Sequence, residues 1–223
     1  MDWLTYLRPL LQGAQVTIEL TLYSTVLGGL FAFAFGIGRL SHNALLRAGS
    51  ITLIEIFRGT SLLVQLFWLY FALPIIGQTL GLDWRLPPVV AGTLALSLNI
   101  GAYGAEVVRG AVQSVPPSQL EAAKALDFTP RQTLWRISIP QAIPEMMPSF
   151  GNLAVQNLKD TALVSLIGLS DLAFQAERIR NFTQDSVSIY TLLLLMYFGM
   201  ALVVAAGMRV LEHHVGRWRA KGA

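Results

Sequence analysis

The chain has 223 residues, 54% of them hydrophobic and 13% charged, with a net charge of +3 and no cysteine. A soluble domain carries about 25% charged residues, so the apolar excess here has to face lipid. Disulfides and thiolate metal sites are excluded, no GxxxxGK[ST] phosphate loop occurs, and the basic residues gather into no nucleic-acid patch.

Residues 1–15, MDWLTYLRPLLQGAQ, do not read as a cleavable signal, because Arg8 and Pro9 break the apolar run and no small-x-small site follows. Trp3, Leu4, Leu7, Leu10 and Leu11 fall at helical spacing and predict an interfacial helix. Five spans are expected at about 17–40, 51–76, 88–108, 149–167 and 189–211, judged against the roughly 20 apolar residues of a membrane-crossing helix. The second is long, so its start is expected along the surface before it turns in. Five spans put the two ends on opposite sides. With the N terminus outside, ten Lys and Arg residues fall on inner segments and four on outer ones. That positive-inside bias places the C terminus and residues 116–140 in the cytosol. His42, His213 and His214 lie near expected membrane edges and read as interfacial polar residues.

The longest polar stretch is 116–140, PPSQLEAAKALDFTPRQTLWRISIP. Ser118 with Glu121 predicts a capping box, and the two prolines before it stop an earlier helix running in. Thr129 with Gln132 repeats the box, with Pro130 in the first turn where a missing N–H does no harm. The spacing predicts two short helices folded as a hairpin. It presents Glu121, Lys124, Asp127, Arg131 and Arg136 to water and keeps Leu120, Ala122, Ala123, Leu126 and Phe128 for docking. Capped, water-facing helices inside a polytopic membrane protein point to a surface another protein grips; an ordinary amphipathic loop is the plainer alternative.

The fourth span holds Asn152, Gln156, Asn157, Lys159 and Asp160. A Lys or Asp at a span's centre costs about 2.5–3.5 kcal/mol, while each strongly apolar residue returns only about 0.3–0.6. This helix is therefore expected inside a bundle. Asn152, Gln156 and Lys159 share one face at i, i+4, i+7, with Asp160 beside it. The third span supplies Ser97, Asn99, Tyr103 and Glu106, and the second supplies Glu55, Arg58, Thr60, Ser61 and Gln65. Glu106 and Arg109 read as helix–loop bracing, and Arg58 as a snorkelling side chain. Gln65 and Ser97 suit packing between helices as readily as a polar path. Residues 168–188, with Asp171, Glu177, Arg178, Arg180 and Asp185, read as a solvated outer loop, with a docking face for a binding protein as the alternative. The tail 212–223, with Arg217, Arg219 and Lys221, reads as an anchor on anionic inner-leaflet lipid.

Glu121-Ala122-Ala123, three residues, Asp127, nine residues and Ile137-x-Ile139-Pro140 resemble the EAA signature of bacterial ABC importer permeases, EAA-x3-G-x9-I-x-L-P. Asp127 stands where that pattern has Gly, and Ile139 where it has Leu. Asp is among the few residues besides Gly that tolerate a left-handed turn. Phe57 through Gln65, Asn99 through Arg109, and Asn157 through Thr161 resemble stretches of the polar amino-acid uptake branch, with Ser61 where that branch has Pro. The stretch IEIFRGTSLLVQLFWLYFALP is similar to permeases for ectoine and hydroxyectoine.

The resemblance implies an all-α membrane fold of the type I ABC importer permease kind, with five transmembrane helices and a cytosolic coupling-helix hairpin. It implies a multi-pass protein of the bacterial inner membrane, paired with a second permease subunit as a homo- or heterodimer. Two cytosolic ATPase subunits would bind ATP and Mg, so this chain would be no enzyme and hold no cofactor. A periplasmic or extracellular solute-binding protein would deliver cargo, and no nucleic acid is involved. Glu121, Ala122, Ala123, Lys124, Asp127, Arg131, Ile137 and Pro140 would couple to the ATPase. Gln65, Ser97, Asn99, Tyr103, Gln156, Asn157, Lys159 and Asp160 would line the path of an amino-acid-like zwitterion. Lys159 can meet a carboxylate, and Asp160 or Glu106 a cationic nitrogen; Lys159 can equally pair with Asp160 or Glu106 and lock the bundle. Glutamine, glutamate and basic amino acids fit as cargo as well as ectoine does. A membrane-embedded enzyme would need a nucleophile or metal cluster, and neither is seen. A channel or secondary transporter not driven by ATP usually shows paired repeats, which are also not seen.

Overall fold

The computed structural model describes residues 3–220, with side chains from 6 to 216, and every regular element among them is helical. Helix α1 (Trp3–Arg39) runs unbroken for 37 residues. The surface helix expected over 1–15 is therefore not a separate element. Pro9 and Gly13 are the weak helix formers of that stretch and the helix runs through both; Gly13 serves packing, since a Cβ there would stand 2.8 Å from the Asp171 carbonyl oxygen. At 1.5 Å per residue α1 is about 55 Å long, well beyond a hydrocarbon core of about 30 Å. Trp3 and Leu4 lie outside the described side chains.

Asn43 caps α2 (Ala44–Gly59), its side chain accepting from the Leu45 and Leu46 N–H groups. Thr60 and Ser61 are extended. The chain then forms α3 (Leu62–Phe67), a π-helical turn over Trp68–Ala72, and α4 (Leu73–Thr79). The long stretch expected over 51–76 is thus split at Thr60-Ser61 into an amphipathic helix and an apolar helical run. Gln65 repairs the split: its amide donates to the Phe57 carbonyl at 2.8 Å and to the Thr60 hydroxyl at 2.8 Å.

Helix α5 (Pro88–Gln113) is the central strut. Its Ser97, Gly101 and Gly104 face packs on α1, where small residues let two backbones approach. A Cβ on Gly104 would stand 2.7 Å from Ala32 Cβ, a contact no rotamer change relieves.

Helix α6 (Pro117–Ala125) and α7 (Pro130–Thr133) form the polar hairpin. The second arm is not a short helix. It continues through a π-helical turn, Leu134–Ser138, into α8 (Ile139–Asp160) and a 3₁₀ turn, Thr161–Ile167. Both π turns precede a proline by two residues, Pro74 and Pro140. Proline lacks the N–H for an i−4 bond and its ring clashes with that carbonyl, and widening the turn accommodates both defects.

Among the described residues, four segments are long and apolar enough to cross a membrane: Tyr6–Arg39, Leu62–Thr79, Pro88–Gln113 and Ser186–Gly216. Helix α8, expected to carry the fourth of five spans, is not among them, because Glu145, Lys159, Asp160 and four side-chain amides lower its hydropathy.

The stretch expected as a solvated loop, 168–188, contains α9 (Leu172–Thr183). Leu172, Ala176 and Ile179, at i, i+4 and i+7, are buried with Leu10, Ala14 and Ile189. Asp171 caps α9 through the Phe174 N–H at 2.9 Å and is fully buried. Burial pushes its carboxyl up to about 6, against hydrogen bonds from the Phe174 and Ala173 N–H groups and the Tyr197 hydroxyl. Helix α10 (Ser186–Ala220) leaves Leu194, Phe198, Leu202 and Val203 exposed, an apolar stripe suited to lipid. The side chains of Arg217, Arg219 and Lys221, expected as a lipid anchor, lie outside those described.

Candidate functional site

The hairpin is built by local rules. Pro116 and Pro117 open α6 as N-cap and first helical residue. Ser118 is thereby already helical, and the expected Ser118–Glu121 box does not form. The far end closes as a Schellman turn. Asp127 takes φ 56°, its N–H donates to the Lys124 carbonyl at 3.0 Å, and the Phe128 N–H donates to the Ala123 carbonyl at 3.0 Å. Asp127 thus has the left-handed conformation expected of the residue at the pattern's Gly position. The Thr129–Gln132 box forms in both directions, with the Gln132 N–H on the Thr129 hydroxyl and the Thr129 N–H on the Gln132 side-chain oxygen Oε1 at 2.8 Å.

Ala123 is buried and Phe128 half-buried beneath the Arg136 guanidinium, 5.9 Å from the ring centre. Gln141 donates to Gln119 across the hairpin base. Glu121, Ala122, Lys124, Leu126, Asp127 and Arg131 are exposed, Pro140 is exposed and Ile137 half-buried. The outer face therefore mixes both charges with an apolar Leu126 that is 71% exposed.

A second feature is a cavity of about 420 Å³ walled by three elements. Helix α5 contributes Leu96, Asn99, Ile100 and Tyr103, and α8 contributes Leu153, Gln156, Asn157 and Asp160, both at i, i+3, i+4, i+7. Thr60, Ser61 and Leu62 close it from the break between α2 and α3. Asp160 accepts from the Gln156 amide at 2.9 Å. The Asn99 amide donates to the Phe57 carbonyl at 3.3 Å and the Gln65 side-chain oxygen at 3.4 Å. The Arg58 guanidinium lies over the Tyr103 ring, 5.5 Å from its centre. Asp160 is the one charged group among the described lining residues.

Of the eight residues expected to line a path, Asn99, Tyr103, Gln156, Asn157 and Asp160 meet in this cavity. Three do not. Ser97 is fully buried on the α1 side of α5 and donates to the Thr93 carbonyl. Gln65 is buried behind the wall. Lys159 is exposed on the protomer surface. The polar stripe is 156, 157 and 160, rotated from the expected 152, 156 and 159, because Asn157 anchors α8 to α1. Its amide donates to the Ser24 and Thr25 hydroxyls at 2.7 and 2.9 Å. Thr17, Thr21 and Ser24 on α1 repeat at i, i+4, i+7, a polar face in an apolar helix that could have announced this contact.

An ion-pair cluster centred on Arg39 and Glu106 joins three elements, α1, α2 and α5. Glu106 pairs with Arg39 of α1 and with Arg109 at 3.0 Å, and Arg39 also lies 3.9 Å from Glu55 of α2. Arg39 was not singled out by sequence, since nothing in spacing fixes a partner 67 positions away.

Residues 24–217 match the family of binding-protein-dependent transport system inner membrane components. The chain is 65% identical over 219 residues to a probable amino-acid ABC transporter permease protein, y4tF, of Sinorhizobium fredii (strain NBRC 101917 / NGR234), covering 98% of this chain and 92% of that one. It is 33% identical to the L-cystine transport system permease protein TcyB of Bacillus subtilis (strain 168), covering 96% and 89%. A crystal structure of an amino acid ABC transporter with histidines superposes with a TM-score of 0.85 at 31% identity, over 96% of this chain and 97% of that one.

Proposed function

Because this chain belongs to the family of binding-protein-dependent transport system inner membrane components, we propose that it carries a polar amino acid or related zwitterion across a bacterial inner membrane. It is a permease subunit of an amino-acid ABC transporter and a multi-pass membrane protein. In the proposed assembly two such subunits pair, two cytosolic ATPase subunits hold ATP and Mg and grip the two hairpins, and a solute-binding protein delivers cargo from outside. With α8 counted as a fifth span, the N terminus lies outside and the C terminus in the cytosol, as the Lys and Arg distribution favours. Lys159, exposed on a helix too polar for lipid, then faces the second subunit.

The observation that carries this reading is helical continuity from the hairpin to the cavity. The chain is helical from Pro130 through Asp160, so force on the arm bearing Arg131 reaches the wall bearing Gln156 and Asp160. The cavity suits the ammonium end of a zwitterion, with Asp160 as its charge partner and Asn99, Gln156, Thr60 and Ser61 as neutral partners. A relative named for L-cystine and a structure solved with histidines support cargo of this class.

The test is substrate-stimulated ATP hydrolysis by the reconstituted complex across a panel of amino acids and ectoine. At least one zwitterion is expected to stimulate, and Glu121→Lys is expected to abolish stimulation while membrane insertion is kept. Uptake in vesicles lacking any nucleotide would refute the reading.

A further inference from the structure

A second and larger hollow, of about 1250 Å³, lies between the end of α1, the start of α2 and the hairpin. Its floor is apolar: Phe33, Ala34 and Ile37 of α1, Val112 of α5, and Phe128 and Leu134 of the hairpin. Its remaining side chains include the cations Lys124 and Arg131 and the imidazole of His42, all exposed, and no carboxylate among the described lining residues. Trp135, 54% exposed, stands at the rim.

We propose that this groove is a binding site for an anionic glycerophospholipid, with an acyl chain along α1 and the phosphate between Lys124 and Arg131. Three observations favour lipid over protein. Polarity changes along the groove as it does along a lipid. From Phe33 to Gly38 the α1 residues of the wall, Phe33, Ala34, Ile37 and Gly38, rise about 7.5 Å and carry no polar side chain, and the cations stand on the hairpin. The Phe33 end also belongs to an apolar segment long enough to cross a membrane, a depth that a water-soluble subunit does not reach. Two cations without a carboxylate among the described lining residues complement a phosphodiester, and an exposed Trp suits the headgroup level. This inference rests on the reading that the hairpin lies at the cytosolic membrane face. It adds that one lipid bridges the first span and the coupling hairpin, so that leaflet composition acts on coupling.

The test is native mass spectrometry of the full chain purified in detergent, offered dioleoylphosphatidylglycerol or dioleoylphosphatidylcholine. The anionic lipid is expected to be retained about tenfold more strongly. The double variant K124Q/R131Q is expected to lose that preference. A34W fills the apolar floor and is expected to lose the lipid with both cations intact, so one misfolded variant does not leave the question open. Equal retention of the two lipids by the unsubstituted chain, or a preference unchanged by K124Q/R131Q, would overturn the site. Displacement by glycerol 3-phosphate would overturn it in favour of a free-anion site, and displacement by the partner ATPase subunits in favour of a protein seat. None of these readouts involves transport, so failure here leaves the proposed function standing, and failure of nucleotide-driven uptake leaves the lipid result standing.

Discussion

The conformation of Asp127 gives the sharpest handle on the hairpin. A residue with a Cβ held at positive φ is disfavoured by about 1–2 kcal/mol, less for Asp and Asn, whose short polar side chains bond locally. Asp127 sits at φ 56° and its turn closes two backbone hydrogen bonds of 3.0 Å. Asp127→Val puts a β-branched side chain at that angle and should weaken closure of the turn by about 1–2 kcal/mol. Asp127→Gly removes the Cβ penalty but loosens the open state, so closure should change by at most about 1 kcal/mol, in the stabilising direction. One tenfold change corresponds to about 1.4 kcal/mol. Hydrogen exchange of the Phe128 amide, which donates to the Ala123 carbonyl, should therefore run about 5–30-fold faster in the Val variant. In the Gly variant it should be equal or up to about fivefold slower. The readout is exchange mass spectrometry on peptides spanning 123–131 in the assembled complex. If the Val variant exchanges like the unsubstituted chain, or more slowly than the Gly variant, the turn does not depend on the left-handed residue and this account of position 127 is wrong.

Asp160→Asn should raise the apparent KM for uptake about 10–100-fold, the worth of one charge-assisted hydrogen bond, with assembly retained; an equal rise in Lys159→Ala would move the path to the exposed face of α8. Gly104→Ala should lower the melting temperature by about 4–8 °C through overpacking against Ala32. Gly110→Ala, on the same helix with nothing within 4 Å, should raise it by about 2–4 °C; equal shifts would refute the close α1–α5 approach. Asp171 has a folded pKa of about 6 against an ordinary 3.8. The protonated form is therefore favoured on folding, and this group's stabilisation is full below about pH 4 and lost as pH rises through about 6. The gap of about 2.2 pH units corresponds to about 3 kcal/mol. Asp171→Asn keeps the cap without the charge, so its melting temperature should exceed that of the unsubstituted chain more at pH 7.5 than at pH 4.5; a difference independent of pH would refute the buried carboxylate.

Where local chemistry decides a conformation, sequence was enough to read it. Thr129 and Gln132 form the expected box because both halves lie within one turn. Asp127 adopts the left-handed angle because its turn leaves no other choice. Ser118 misled because two prolines compete with it: Pro117 takes the first helical position before a serine cap can. The rotation of α8 was out of reach for a different reason. Spacing gives which residues share a face but not which face meets which neighbour, and the deciding bond joins Asn157 to Ser24 and Thr25 more than 130 positions earlier. Helix α9 was hidden by its own charges. Glu177, Arg178 and Arg180 outweigh the stripe of Leu172, Ala176 and Ile179 in any average over the segment.

The cavity's walls bear on how access could change. Asn157 ties α8 to α1, the Asn99 amide ties α5 to Gln65 and to the Phe57 carbonyl, and Arg39 with Glu106 ties α1 to α5. Each wall is bonded to the next through a buried or half-buried contact. Opening the cavity within one protomer would break several of these at once, at about 1 kcal/mol or more for each neutral bond and more for the ion pair. Moving the protomer as a unit breaks none of them. On the proposed function, a pull on the hairpin is therefore resolved as rotation of the whole helical body against its partner subunit. A tilt of 10° about the hairpin end of α8 would carry Asp160 about 5 Å, since α8 is about 30 Å long. That displacement shifts the cavity relative to the proposed partner subunit without breaking the hydrogen bonds that join its walls. Cross-linking positions 157 and 24 through paired cysteines should accordingly leave nucleotide-driven uptake at the level of the same variant kept reduced, and a loss of uptake on oxidation that reduction restores would place the moving joint inside the protomer instead.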